Sequence, residues 1–143
     1  METSVKELFE RYEHVFRCAL RGVIDMNEAA LLYAPEFIAA TPAGVVTGKN
    51  DEQLKQVMEE GYARYRAQGM KDVRVRGLRI SPIDEEHCVG HVAWRAIYAR
   101  KDQPDIAIDF EVHYFVRGLG SDPRVFGWVS GDELARLKQH GLM

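Results

Sequence analysis

His91, Arg95, Asp109, Glu111 and His113 carry the residue types of an acid–base site. An imidazole beside a carboxylate shuttles protons near pH 7, and an arginine grips a carboxylate through two parallel hydrogen bonds. Their spacing can gather them on one surface. If residues 87–117 form one long hairpin turning at 101–104, with Trp94 facing Phe110, then His91 meets His113, Ala93 meets Glu111, Arg95 meets Asp109 and His87 meets Arg117. The opposite face is apolar. There Cys88 meets Val116, Gly90 meets Tyr114, Val92 meets Val112, Ala96 meets Ile108 and Tyr98 meets Ile106. A period of two held over this length predicts a sheet and fixes its register, because a slip of one residue would exchange the faces.

The two faces compete for the interior. Apolar helix stripes elsewhere in the chain must be buried, and the apolar strand face is their natural partner. The polar face then points outward, where Arg95–Asp109 is a cross-strand ion pair of about 0.2–1 kcal/mol. Ala93, Ile97, Ala107 and Phe115 lie among its charges, a mixture that suits an interface better than bare solvent. His91, Ala93, Arg95, Ile97, Asp109, Glu111, His113 and Phe115 are therefore expected to form a homodimer seam. A solvated face and a catalytic cluster are the alternatives. No metal is expected: His87 and His91 stand about 13 Å apart on a strand, too far to share an ion. His91 and His113 alone lack evident further ligands.

The elements that must position these faces follow from periodicity and caps. Ser4 and Glu7 have capping-box spacing before a stripe of Val5, Leu8, Phe9, Tyr12, Val15, Phe16 and Ala19, which Gly22 stops. Asp25 and Glu28 open a short second helix running through Leu31, Leu32 and Tyr33 toward Pro35. Residues 37–41 and 45–47 read as short strands joined by Pro42-Ala43-Gly44. Asn50 is expected to cap a third helix with the stripe Leu54, Val57, Met58, Gly61, Tyr62 and Tyr65. In the strand 73–81 the alternation changes phase at Gly77, which predicts a bulge, with Val73 and Val75 on one side and Leu78 and Ile80 on the other. After the long hairpin come a strand at 125–129 and a terminal helix boxed by Ser130 and Glu133. Gly118-Leu119-Gly120 reads as a strand-connecting turn. The order is α+β, with helices segregated on one face of a curved, mainly antiparallel sheet.

The chain has 143 residues, 46% of them hydrophobic and 29% charged, with a net charge of −3. That fits one globular domain spanning residues 1–143. No basic run invites nucleic acid, and no apolar run reaches the ~18 residues of a membrane span. Cys18 and Cys88 fall on apolar stripes, match no metal or redox spacing, and suit a reducing cytoplasm.

Several local patterns resemble the nuclear transport factor 2-like (SnoaL-like, cystatin-like cone) superfamily. They are Leu32-Tyr33-Ala34-Pro35-Glu36-Phe37, Thr41-Pro42-Ala43-Gly44 with Thr47-Gly48, Val92-Ala93-Trp94 followed by Phe110-Glu111-Val112, and the tail Gly127-Trp128-Val129-Ser130-Gly131-Asp132-Glu133. The resemblance implies a strongly curved sheet wrapped around the N-terminal helices, a pocket on its concave side and, often, a homodimer. It includes isomerases, cyclases, dehydratases and non-enzymatic association domains, so fold alone does not fix function. Against ketosteroid isomerase, the helix-one tyrosine falls on Tyr12, the aspartate base on Thr41 and the oxyanion aspartate on Val112. Threonine and valine cannot fill those two roles.

The resemblance implies a pocket lined by Tyr12, Phe16, Thr41, Tyr62, Trp94, Tyr98, Phe110, Val112 and Tyr114, apolar with few charges, with Tyr12 the candidate catalytic group. The expected function is binding or converting a small hydrophobic molecule without a cofactor. The competing expectation is an association or scaffold domain with a filled core.

Overall fold

The computed structural model describes residues 2–142. The first stripe becomes helix α1 (Glu2–Leu20), which buries Val5, Leu8, Phe9, Val15, Ala19 and Leu20. Asp25 caps α2 (Met26–Ala30), its carboxylate accepting from the N–H groups of Asn27 and Glu28. Strands β1 (Tyr33–Thr41) and β2 (Gly44–Lys49) make the small hairpin, and α3 (Glu52–Ala67) follows. The rest is β3 (Met70–Pro82), β4 (His87–Arg100), β5 (Gln103–Arg117), β6 (Arg124–Val129) and α4 (Glu133–Gln139). The six strands form one sheet in the order β2-β1-β6-β5-β4-β3. The β1–β6 pair is parallel and the others are antiparallel.

The β4–β5 register is the one the alternation predicts: Trp94 faces Phe110, and His91 faces His113. The turn is tighter than expected. Arg100 pairs with Gln103, leaving Lys101 and Asp102 at the tip, with Asp102 at φ 60°. Aspartate tolerates that left-handed geometry better than most residues, so Pro104 is left inside β5.

The bulge lies just before Gly77. Val75 pairs with Trp94 and Gly77 with Ala93, so Arg76 is the extra residue. Its effect differs from the expectation. Val73 and Val75 oppose Ala96 and Trp94, while Leu78 and Ile80 oppose Val92 and Gly90, all on the apolar face. The inserted residue cancels the phase change, so β3 keeps one apolar side inward while the strand bends.

Helix α1 covers that bent edge strand. The Val75 N–H donates to Glu13 Oε2 at 2.6 Å, and Arg17 Nε donates to Asp72 Oδ1 at 2.9 Å. The helix can approach closely because residue 90 has no side chain: a Cβ there would lie 2.8 Å from the Phe9 ring.

Three caps sit elsewhere than expected. Helix α1 already runs at Glu2, and Ser4 Oγ donates to the Leu119 carbonyl at 3.4 Å. Asp51 caps α3, while the Asn50 amide donates to the carbonyls of Ala30 and Tyr33 and clamps the start of β1. Asp132, not Ser130, caps α4. Among the described residues no helix is long and apolar enough to cross a membrane.

Candidate functional site

The apolar face of the sheet and the helices enclose a cavity of about 180 Å³. Helix α1 contributes Tyr12 and Phe16, and α3 contributes Met58, Tyr62 and Tyr65. The strands supply Tyr33, Trp94, Tyr98, Phe110, Val112, Tyr114 and Trp128, and α4 adds Glu133, Arg136 and Leu137. The chain has six tyrosines, and all six line this cavity.

Three of their hydroxyls form a linked array. Tyr12 Oη lies 2.7 Å from Tyr33 Oη, Tyr12 also hydrogen-bonds Tyr114, and Trp94 Nε1 donates to Tyr114 Oη at 3.1 Å. Burial pushes all three phenols up, Tyr33 and Tyr114 most. Bonds from its two neighbours partly offset burial at Tyr12. A hydroxyl has one proton and two lone pairs. In the arrangement where Tyr33 and Tyr114 donate to Tyr12, the Tyr12 proton points into the cavity, and donation along such a chain strengthens it as a donor.

The α4 side is charged. Tyr65 Oη donates to Glu133 Oε1 at 2.7 Å, and the Arg136 guanidinium lies 4.4 Å from the centroid of the Phe110 ring. Burial first, and then the Glu133 charge, raise the Tyr65 phenol; burial lifts Tyr62 as well and pushes Tyr98 up to about 12.

Across the sheet, the polar face carries its own network. Arg95 grips both oxygens of Asp109 at 2.7 and 3.0 Å, and Arg76 approaches the same carboxylate at 3.4 Å. His91 Nδ1 and His113 Nδ1 lie 2.7 Å apart, and His91 Nε2 lies 2.9 Å from Ser81 Oγ. Glu111 Oε1 stands 3.8 Å from His113 Nδ1. Phe115 stacks on Phe126 with ring centroids 5.8 Å apart.

The family described as NTF2-like protein (DUF6841) matches residues 2–133. The chain belongs to this NTF2-like family. No curated protein matches the sequence. Among solved structures, an NTF2-like protein with a cystatin-like fold from Novosphingobium aromaticivorans is similar at 10% identity and TM-score 0.69, covering 99% of this chain and 88% of that one. A ketosteroid isomerase-like protein from Erwinia carotovora atroseptica gives 10%, 0.62, 90% and 93% for the same measures. A putative calcium/calmodulin dependent protein kinase II association domain from Xanthomonas campestris gives 12%, 0.62, 89% and 84%. At these identities the likeness shows the fold alone.

Within this NTF2-like frame, Tyr12, Phe16, Tyr62, Trp94, Tyr98, Phe110, Val112 and Tyr114 lie around the cavity. Thr41 does not. It is exposed at the hairpin end of β1, and its Oγ1 accepts from the Ala43 N–H at 3.2 Å. The cavity is reached from the opposite end of β1, by Tyr33. Several lining residues lie outside the expected set, among them Tyr33, Glu133 and Trp128. Tyr33 follows an apolar run that reads as helix but starts β1. Glu133 has capping-box spacing, but its carboxylate takes the Tyr65 hydroxyl. Trp128 required the β5–β6 register, which sets it opposite Tyr114. Glu133 and Arg136 also make the lining more charged than expected. On the other face, donor atoms of His91, Glu111 and His113 all lie within 4.8 Å of one another.

Proposed function

We propose that this NTF2-like protein binds a small, mainly apolar molecule of about one ring and anchors one of its oxygens on the Tyr12 hydroxyl. The observation that carries this reading is the gathering of all six tyrosines around one cavity of about 180 Å³. A filled-core scaffold has no use for so many buried hydroxyls, each of which carries a desolvation cost unless bonded. The volume sets the ligand class. A cavity of ~150 Å³ accommodates benzene, whereas drug-sized ligands take ~300–1,000 Å³. The expected ligand is therefore below drug size.

Thermal shift tests this reading with cyclohexenone, cyclohexanone and phenol as probes. A ligand at 100 times its Kd stabilises the native state by about 2.7 kcal/mol. One or more probes should raise the melting temperature of the parent, and Val112→Trp should remove the shift by filling the cavity. No shift with any monocyclic probe supports the filled-core scaffold instead.

One observation favours a catalytic extension of this reading: Glu133 is the sole carboxylate among the residues lining the cavity. With a carbonyl oxygen held by Tyr12, Glu133 takes a proton from the adjacent carbon and the electron pair shifts onto that oxygen. Return of the proton to another carbon completes an isomerisation without a cofactor. Bound cyclohexenone should then exchange protons with deuterated water, and Glu133→Gln should stop the exchange.

The polar sheet face is proposed as a homodimer seam, supported by Ala93, Ile97 and Phe115 among its charges. The free thiols of Cys18 and Cys88 support a reducing, cytoplasmic setting.

A further inference from the structure

We propose that His91, His113 and Glu111 form a binding site for a divalent late first-row transition metal, of the zinc type, on the sheet face opposite the cavity. The inference does not rest on the ligand reading above; it uses other residues on the other side of the sheet.

Register builds the site. His91 on β4 stands directly opposite His113 on β5, and Glu111 lies two residues along β5, on the same face. The three donor atoms all lie within 4.8 Å of one another. The imidazoles are closer still, with their Nδ1 atoms 2.7 Å apart. Such a contact between two neutral rings holds one proton between two nitrogens, so at least one nitrogen presents a lone pair to its neighbour. A zinc ion about 2.05 Å from each nitrogen, in tetrahedral geometry, needs them roughly 3.3 Å apart. A side-chain adjustment of about 0.6 Å opens the pair to that spacing, with no movement of the strands. The proton between the rings then moves to the far nitrogen of His113.

The surroundings favour a cation at this point rather than another ion pair. Asp109 is already taken by Arg95 and Arg76. Glu111 is held more loosely: Arg79 Nη2 lies 3.8 Å from its Oε1, an ion pair without a hydrogen bond. Ser81 Oγ lies 2.9 Å from His91 Nε2, the position of the outer partner that fixes the tautomer and aim of a metal-binding histidine. In the single chain the donors are accessible, with the His113 side chain 39% exposed and that of Glu111 46%; the proposed homodimer seam would set them against a partner copy. Two imidazoles and one carboxylate suit zinc, cobalt or nickel, whereas magnesium and calcium prefer oxygen donors throughout. Three protein ligands leave a fourth position for water or for a group from another molecule.

Zinc competition against a chromophoric chelator tests the site, run at protein concentrations above and below any self-association so that a dimer covering the face is recognised. The parent should bind one zinc per chain with a Kd on the order of micromolar. His113→Ala and the near-isosteric Glu111→Gln should each weaken binding at least about tenfold, the size typical of a lost metal-site partner. Arg79→Gln should tighten binding severalfold by removing a neighbouring positive charge. His14→Ala should leave it unchanged; its imidazole lies 3.6 Å from Cys18 Sγ and is the rival donor pair. Cobalt substitution should give visible absorption that disappears in Glu111→Gln, whose fold circular dichroism verifies. Absence of zinc binding at about 100 µM, equal binding by parent and Glu111→Gln, or loss of binding in His14→Ala instead would each overturn the proposal.

Discussion

Raising the pH should unfold this protein sharply, because its tyrosines are concentrated in one buried place. Each has its phenol raised by burial above the ordinary value of 10. The native state therefore holds protons that the unfolded chain releases, and stability is lost as pH rises past the unfolded value. For Tyr98, moved to about 12, the difference at pH 11 is RT ln(11/1.1), about 1.4 kcal/mol. Burial raises the other five phenols in the same direction, so each adds to the loss, a serious one for a domain held together by ~5–15 kcal/mol. The assay is a titration of near-ultraviolet tyrosinate absorbance with far-ultraviolet circular dichroism recorded in parallel. Native protein should show almost no tyrosinate at about pH 10.5, and all six phenols should then ionise in one step as the dichroism collapses. Gradual ionisation centred near 10 with the fold intact would refute the burial argument.

Gly90→Ala should lower stability by about 1–3 kcal/mol, because its Cβ would meet the buried Phe9 ring at 2.8 Å; an unchanged urea midpoint would contradict this. Arg95→Glu should weaken a homodimer, since it removes the partner of Asp109 and sets like charges opposite each other; sedimentation of the parent as a clean monomer at tens of micromolar would sink the seam itself. The chain should not isomerise a Δ5-3-ketosteroid, since Thr41 lies outside the cavity and four fused rings exceed its roughly 180 Å³; turnover lost in Tyr12→Phe would mean that the cavity opens and that Glu133 serves as base.

What was legible in the sequence was whatever a short period records. The β4–β5 register follows from alternation on both strands, since any slip would bury Arg95 and expose Trp94. Eight of the nine expected pocket residues fell on stripes and faces that had to turn inward. The errors came where local signals were degenerate. Asn50 and Asp51 are both good caps, as are Ser130 and Asp132, and which one is used depends on where the preceding strand ends. The short apolar run Leu31-Leu32-Tyr33 fits a helix as well as a strand, and pairing of Tyr33 with Val125 decides it. The place of Glu133 and Arg136 depends on α4 folding back over the cavity, which no spacing within that helix records. The place of Glu111 beside the two histidines follows from the same register.

Calorimetric titration of the best-binding monocyclic probe into the parent and into Tyr12→Phe tests the central claim most directly. The phenylalanine keeps the ring that walls the cavity and removes only the hydroxyl at the centre of the array. A buried hydrogen bond of about 1.5 kcal/mol corresponds to a roughly tenfold change in Kd, so the parent should bind about ten times more tightly than Tyr12→Phe. Equal affinity in the two proteins, or no heat with any monocyclic probe, would contradict a cavity that recognises its ligand through Tyr12.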